Sequence, residues 1–439
     1  MNNSNYIPVE TRSIKLLYLI ILIGLVGILM ALLSMNMALF AVITVFPLIC
    51  IAGILILRYP QLMLFIIFTI NYFILGITRY VPIEGISIIM DILYVLTLVL
   101  IFVHSALYHS IEWKRCFHIL SALSAVWAFY CILEVMNPSA VFEGWILSRG
   151  LIINGLIITI LTSLLCTRYK TLKALLFTFS LFTVLAILKT FMQKFFGFDT
   201  YETRWLNNGG ATTHIIHSGI RYFSFFTDAS NMGSNMGGAG IIWGITSLYM
   251  KNKAFRIYYA SVAVASLYTM MLSGTRGAII VPLAGLALYT VVSKQTRSIL
   301  IGTASLVLIY VFFAFTMIGQ SNATIRRMRT AFTPSEDASY IVRKENQKKL
   351  KEYLKYKPFG EGLGLSGDGL GVKVSRRFTT SIPTDSWYVK IWVETGIIGL
   401  ILYMGMVFIT IARGTWILMF NIHDPELKGI LTGWLCAIF

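Results

Sequence analysis

LSGTRGAIIVPLAGLALYT, residues 272–290, is an apolar run of membrane-helix length with one charge, Arg276, set between small residues at its mouth. Roughly 20 apolar residues cross a bilayer as a helix, and runs of this kind recur along the chain. They are expected at 16–33, 37–57, 61–78, 87–107, 117–135, 151–167, 173–190, 232–250, 256–272, 278–293, 299–318 and 387–411. Composition agrees: 57% of the 439 residues are hydrophobic and 13% charged, against about 45–50% and about 25% in soluble domains. The sequence therefore predicts an all-α polytopic membrane protein with about twelve transmembrane helices. A last apolar stretch, from about Leu427 to Phe439, is too short to cross and is either interfacial or the start of a cut span.

Charge sets the expected topology. Lys and Arg number 36 and Asp and Glu 19, a net charge of +17. Arg12 and Lys15, Arg58, Lys114 and Arg115, Arg168, Lys170 and Lys173, Lys251, Lys253 and Arg256, Lys294 and Arg297, and Arg413 all fall in loops on one side. Positive-inside bias makes that side cytoplasmic. Residues 1–15 are then a cytoplasmic N-terminus, with no small-residue cleavage site after the first apolar run. Residues 16–190 hold seven spans, 191–231 an exoplasmic loop and 232–318 four spans. Residues 319–386 form a large exoplasmic loop, and 387–439 the last full span and the C-terminal segment. Loops this long escape the rule, so the basic 319–386 loop fits. The remaining positive charge asks for an anionic partner at the membrane and not for nucleic acid. Cys50, Cys116, Cys131, Cys166 and Cys436 lie in apolar segments or beside short basic loops, so neither a disulfide nor a CxxC metal site is expected.

Several arginines approach one face. Arg149 stands at the expected outer end of the sixth span, Arg204 and Arg221 in the loop before the eighth, and Arg276 at the tenth. A guanidinium suits phosphate because its planar fork donates two parallel hydrogen bonds and stays charged. Interfacial anchoring explains any one of these residues. Together, flanked by glycines that let a ligand reach the backbone, they favour an anion site. The run Asn231, Gly233, Ser234, Gly237, Gly238, Gly240 either packs helices closely or lines a headgroup cavity. GEGLGLSGDGLG, 360–371, lacks the lysine and the strand–helix context of a phosphate loop.

Other polar residues have two readings each. His214 and His217, with Asp228, fall short of a metal site, and none is expected. Asp91 lies mid-span, with Lys189 as a possible ion partner. Lys390 and Glu394 are spaced to pair at i, i+4. Residues 335–358 read as a helix capped by Ser335, with Ile341, Leu350 and Leu354 as its apolar stripe and Pro358 as its stop. Asp385, before the last span, is either an N-cap or a general base.

IRYFSFFTDASNMG (220–233), SGTRGAII (273–280), and KPFGEGLG (357–364) followed by TDSWYVKIWVETGIIGL (384–400) resemble motifs of the O-antigen ligase and polymerase superfamily. Ser339 and Arg343 match its Ser-x-x-x-Arg spacing, and NPSAVFEGWILSRG (137–150) is similar too. The resemblance spans most of 137–411, with 191–411 as the ligase- or polymerase-like core. It implies transfer of a glycan from undecaprenyl diphosphate to an acceptor hydroxyl on the exoplasmic face of the bacterial cytoplasmic (inner) membrane. The acceptor would be another lipid-linked glycan or a lipid-core sugar, and no cofactor or metal is implied. By motif position Arg221 and Arg276 would hold the diphosphate, with Arg149 and Arg343 as further ligands. The family's pattern has His where this chain has Asp385, so the base is Asp385, or else His217 or Asp228 from the first loop. The rival reading, a transporter or flippase of lipid-linked oligosaccharide, predicts charges along a central path and repeated halves; neither is seen in the sequence.

Overall fold

The computed structural model describes residues 51–81, 85–216, 219–293, 296–332, 338–367 and 371–438. The expected spans before residue 51, and Ser335 and His217, lie outside the described residues. Contacts divide the chain into two units, Met1–Leu64 with Val95–Ile111, and Phe65–Tyr94 with Glu112–Phe439. In the described part of the first, the His104 ring lies 2.6 Å from the Leu57 carbonyl and 2.8 Å from Ser110 Oγ. The site described below belongs wholly to the second.

The described residues are mostly helical. Two strands of two residues each, Ile215–Ile216 and Gly219–Ile220, form one antiparallel pair. Seven described helices are long and apolar enough to cross a membrane: Ile88–Tyr108, Ile119–Met136, Phe142–Leu165, Tyr169–Phe195, Lys253–Leu272, Arg276–Ser293 and Trp387–Phe420. The bent pair Ile51–Arg58 and Leu62–Ile77 makes an eighth if it is one span. The expected 232–250 span is a helix, Ala229–Tyr249, but its Gly, Ser and Asn residues dilute its hydropathy. The expected 299–318 span is Thr296–Phe315, of which Gly302–Phe315 reads as a shorter apolar helix. The chain is thus a multi-pass membrane protein with seven such spans described, where about twelve were expected.

The Ala229–Tyr249 helix is the centre of the second unit, and its glycines explain why. A Cβ at Gly233 would stand 2.5 Å from Ser273 Oγ, and one at Gly240 2.5 Å from Leu267 Cδ2. The Lys253–Leu272 helix therefore lies directly on this backbone, a contact that van der Waals packing stabilises in lipid, where helices gain little from the hydrophobic effect. On the other side a Cβ at Gly429 would meet Tyr249, and one at Gly433 the Ile242 carbonyl. The Pro425–Cys436 helix thus runs antiparallel to Ala229–Tyr249, with Ile430 and Cys436 fully buried. It is a packed element of the bundle, not an interfacial one. Trp243 fixes the register: it stacks on Tyr259 at 5.3 Å and donates to Thr183 Oγ1 at 3.2 Å.

After residue 319 the described residues include the helices Ala323–Arg329 and Ala338–Leu354. In the Ala338–Leu354 helix, Leu350 and Leu354 are buried against Ile382 and Val393, whereas Ile341 is exposed. The expected stripe holds only in its C-terminal half.

Candidate active site

Residues 199–228 form a cradle beside the N-terminus of the Ala229–Tyr249 helix. Asp199 and Glu202 make a reciprocal capping box, and Lys189 lies 3.0 Å from each carboxylate. Burial raises the Asp199 pKa, but the Glu202 backbone N–H, Tyr80 and Lys189 outweigh it and bring the carboxyl down to about 2. Arg79 braces the next turn. Its guanidinium donates to the Ser224 carbonyl at 3.2 Å, the Thr227 carbonyl at 2.8 Å and the Phe226 carbonyl, and it stacks over Trp205 and Phe223. Sequence reasoning missed Arg79. The available signal was an arginine in a loop on the side that the basic-loop pattern leaves nearly uncharged.

His214 is buried. Its Nδ1 donates to the Gly210 carbonyl at 2.9 Å and its Nε2 accepts from the Ala229 N–H at 3.1 Å. Both ring nitrogens are therefore engaged in holding the cradle, which argues against the His214 metal pairing. Burial lowers the His214 pKa, the Gly210 carbonyl opposes this, and the Arg221 charge adds to the lowering. A depressed folded-state pKa contributes stability that is present above the unfolded value of about 6.5 and is lost on acidification below it. Hydrogen exchange over 206–228, corrected for intrinsic rate, is therefore expected to rise as pH falls from about 7 to about 5. A flat profile would contradict this role for His214.

Arg221 ties three segments together. Its Nε donates to the Ser273 carbonyl at 3.3 Å and Nη1 to the Thr213 carbonyl at 2.9 Å. Nη2 reaches Ser230 Oγ at 3.2 Å and Thr275 Oγ1 at 3.0 Å. Gly274 makes this possible: at φ +60°, a Cβ there would stand 3.1 Å from Arg221 Cγ. Burial lowers the Arg221 pKa, Asp228 opposes this, and the neighbouring charges of Arg276 and Arg343 lower it further. Arg276 follows in the same turn and donates to Thr330 Oγ1 at 3.1 Å. Arg343 Nε lies 3.9 Å from Asp385 Oδ2. Arg276 and Arg343 thus come within electrostatic reach of Arg221, and Arg343 of Asp385, although these residues are far apart in sequence.

The other candidates are placed differently. Asp228 caps the Ala229–Tyr249 helix, accepting from the Ser230 and Asn231 N–H groups at 2.7 and 2.9 Å. Its Oδ2 takes the Thr227 hydroxyl, so its lone pairs serve the cap. Arg149 stands at a helix end, as expected, but its guanidinium is taken by an intramembrane carboxylate. It opens the Arg149–Leu165 helix, which follows the short Phe142–Leu147 helix after a turn at Ser148, and its Nε donates to Asp91. Lys189 is therefore not the partner of Asp91; an intramembrane carboxylate is paired with the nearest guanidinium instead. Lys390 does approach Glu394, at 3.7 Å.

Asp385 is not the N-cap of the last span. Ser386 holds that position, without a side-chain cap. The Ser386 N–H bonds to the Thr384 carbonyl at 2.6 Å across Asp385, whose φ is +51°. This is a γ-turn with a left-handed central residue, a rare and strained form of the kind that clusters at functional sites.

The glycine-rich loop is held from behind. Glu361 and Gly362 N–H groups donate to the Val393 and Glu394 carbonyls at 2.9 and 3.0 Å. The Ile398 N–H returns to the Pro358 carbonyl at 3.3 Å, across a kink at Gly396. Glu361 is 2% exposed and pairs with Lys357 at 2.6 Å and Arg377 at 2.7 Å. Gly364 lies on the backbone of Gly144, so the 137–150 stretch backs the same loop.

Two cavities bear on the site, one along the Ala229–Tyr249 helix and one beside the Arg221 segment. One of about 530 Å³, lined by Asn71, Tyr72, Ser234, Asn235, Trp243 and Trp434 among others, has no charged residue in its wall. Ser234 and Gly238 line it, so the small-residue run serves both packing and a cavity. The other, of about 220 Å³, is lined by Lys194, Arg221 and Arg327. The smaller one carries the chemistry an anion needs.

Residues 261–404 match the family model described as O-antigen ligase. No curated protein and no solved structure matches the chain. The match covers Arg276, Arg343 and Asp385 and leaves Arg221 upstream of it.

Proposed function

We propose that this chain, whose residues 261–404 form an O-antigen ligase-type domain, transfers a glycan from undecaprenyl diphosphate to an acceptor hydroxyl. The site would face the exoplasmic side of the bacterial inner membrane, on a core of residues 191–411 with the 191–231 and 319–386 loops above the bilayer. The observation that supports this reading is that the charges of Arg276 and Arg343 both act on Arg221, and that Arg343 in turn lies 3.9 Å from the Asp385 carboxylate.

In this mechanism the acceptor oxygen attacks the anomeric carbon and the bond from that carbon to the diphosphate oxygen breaks. The bonding pair leaves with the diphosphate, and the acceptor proton passes to the Asp385 carboxylate. Negative charge grows on the departing bridging oxygen. Fixed guanidiniums stabilise that charge more in the transition state than in the ground state. Arg221 spends most of its donors on Thr213, Ser230, Ser273 and Thr275. Its contribution is a preorganised charge and the shape of the cradle, while Arg276 supplies the fork.

The test is reconstitution with a defined lipid-linked oligosaccharide, reading whether chains lengthen, pass to another lipid, or only cross the bilayer. Crossing without bond formation would favour a transporter instead. Asp385→Asn is expected to lower transfer by about 10²–10⁴-fold, the usual range for a general base, with Asp385→His partly active. An active Asn variant would remove Asp385 from the base role.

A further inference from the structure

We propose that the cavity bounded by Lys194, Arg221 and Arg327 is a second phosphate site, adjoining the one assigned to Arg221, Arg276 and Arg343 and sharing Arg221 with it. The inference rests on the transferase reading above and deepens it. Its three cations come from three elements: Lys194 from the end of the Tyr169–Phe195 helix, Arg221 from the segment after the strand pair, and Arg327 from the Ala323–Arg329 helix. Acidic residues are absent from its lining. Like charges gathered in a small cavity repel one another, and an anion reverses the sign of that interaction.

The cations are also positioned. Lys194 Nζ donates to Tyr268 Oη at 2.7 Å, and Arg327 Nε donates to the Gly274 carbonyl at 2.5 Å. Gly274 packs between the Arg221 and Arg327 side chains, so the cavity and the Arg276 turn share one backbone. Arg221 makes four of the five hydrogen bonds its guanidinium can donate. Tyr222 and Thr324 also line it. A transferase that joins two lipid-linked glycans must hold two diphosphates at once, one leaving and one staying. A cationic cavity beside the first site is suited to the one that stays. The ligand class is a phosphate or diphosphate group, free or carried on a prenyl lipid.

The test titrates the full-length protein in nanodiscs with inorganic diphosphate and, separately, with farnesyl diphosphate, by calorimetry. Arg327→Gln and Lys194→Gln are each expected to weaken binding of at least one probe about tenfold, as loss of a charged hydrogen-bond donor does, with melting unchanged. Arg327→Lys is expected to restore part of it. Weakening toward both probes assigns the site to the phosphate group alone; weakening toward farnesyl diphosphate only assigns it to a lipid-linked ligand. Binding that responds to Arg276→Gln but not to Arg327→Gln or Lys194→Gln overturns the second site and leaves the first. The reverse pattern supports the second site and counts against the donor assignment. Absence of binding in every form overturns both.

Discussion

Arg276→Lys is expected to lower glycan transfer by about 10²–10³-fold, with normal membrane levels and melting. That range is typical for removing one preorganised donor from a developing oxyanion. Lysine keeps the charge but replaces a rigid planar fork with a mobile point charge. The site makes the fork matter. Arg276 begins a short 3₁₀ turn directly after Thr275, and its Nη1 is held by Thr330 Oγ1, which itself donates to the Arg327 carbonyl. An ammonium on a flexible stem cannot satisfy Thr330 and a diphosphate oxygen in the same geometry. Initial rates in proteoliposomes with a defined donor measure the effect. Wild-type rates from this variant would reduce Arg276 to an interfacial anchor.

Gly396→Ala carries the largest expected cost to stability. Gly396 has φ +67° and ψ −170°, a region essentially reserved for glycine. A Cβ there would stand 2.0 Å from the Pro358 carbonyl oxygen and 2.5 Å from the Gly360 nitrogen. Backbone strain of about 1–3 kcal/mol and overpacking of about 1–3 kcal/mol together give about 2–6 kcal/mol. The strands of the contact are backbone, so no side chain can yield. The 358–364 loop should leave the Trp387–Phe420 helix, exposing Glu361 and its two cationic partners. Thermal melting in detergent and limited proteolysis between 355 and 378 would detect this. Wild-type melting together with wild-type protease resistance would show that the loop does not depend on the kink.

The multi-span fold was legible because apolar blocks are a local property of sequence. Where blocks carry glycine and asparagine, as in Ala229–Tyr249, hydropathy weakens although the helix is central. Its small residues gave the better signal, since close packing needs them. The partners of Arg221 were not legible: Thr213, Ser230, Ser273 and Thr275 come together only in the fold. Asp228 reads as an alternative base from its place in the first loop, yet Asp before Ala-Ser-Asn is equally an N-cap pattern, and the N-cap is the role it fills. For Asp385 the same rule misled in the other direction, because the helix starts one residue later and the γ-turn has no sequence signature. The helix end at Arg149 was legible, but its pairing with Asp91 was not, because that partner lies on a different helix.

The seating of Pro425–Cys436 on Ala229–Tyr249 has a consequence for biogenesis. Gly238 and Tyr249 on the central helix wait for partners that the ribosome makes only after the Trp387–Phe420 span. Until then a polar, glycine-lined groove stands open to lipid. Insertion machinery must shelter it until the Pro425–Cys436 helix is seated.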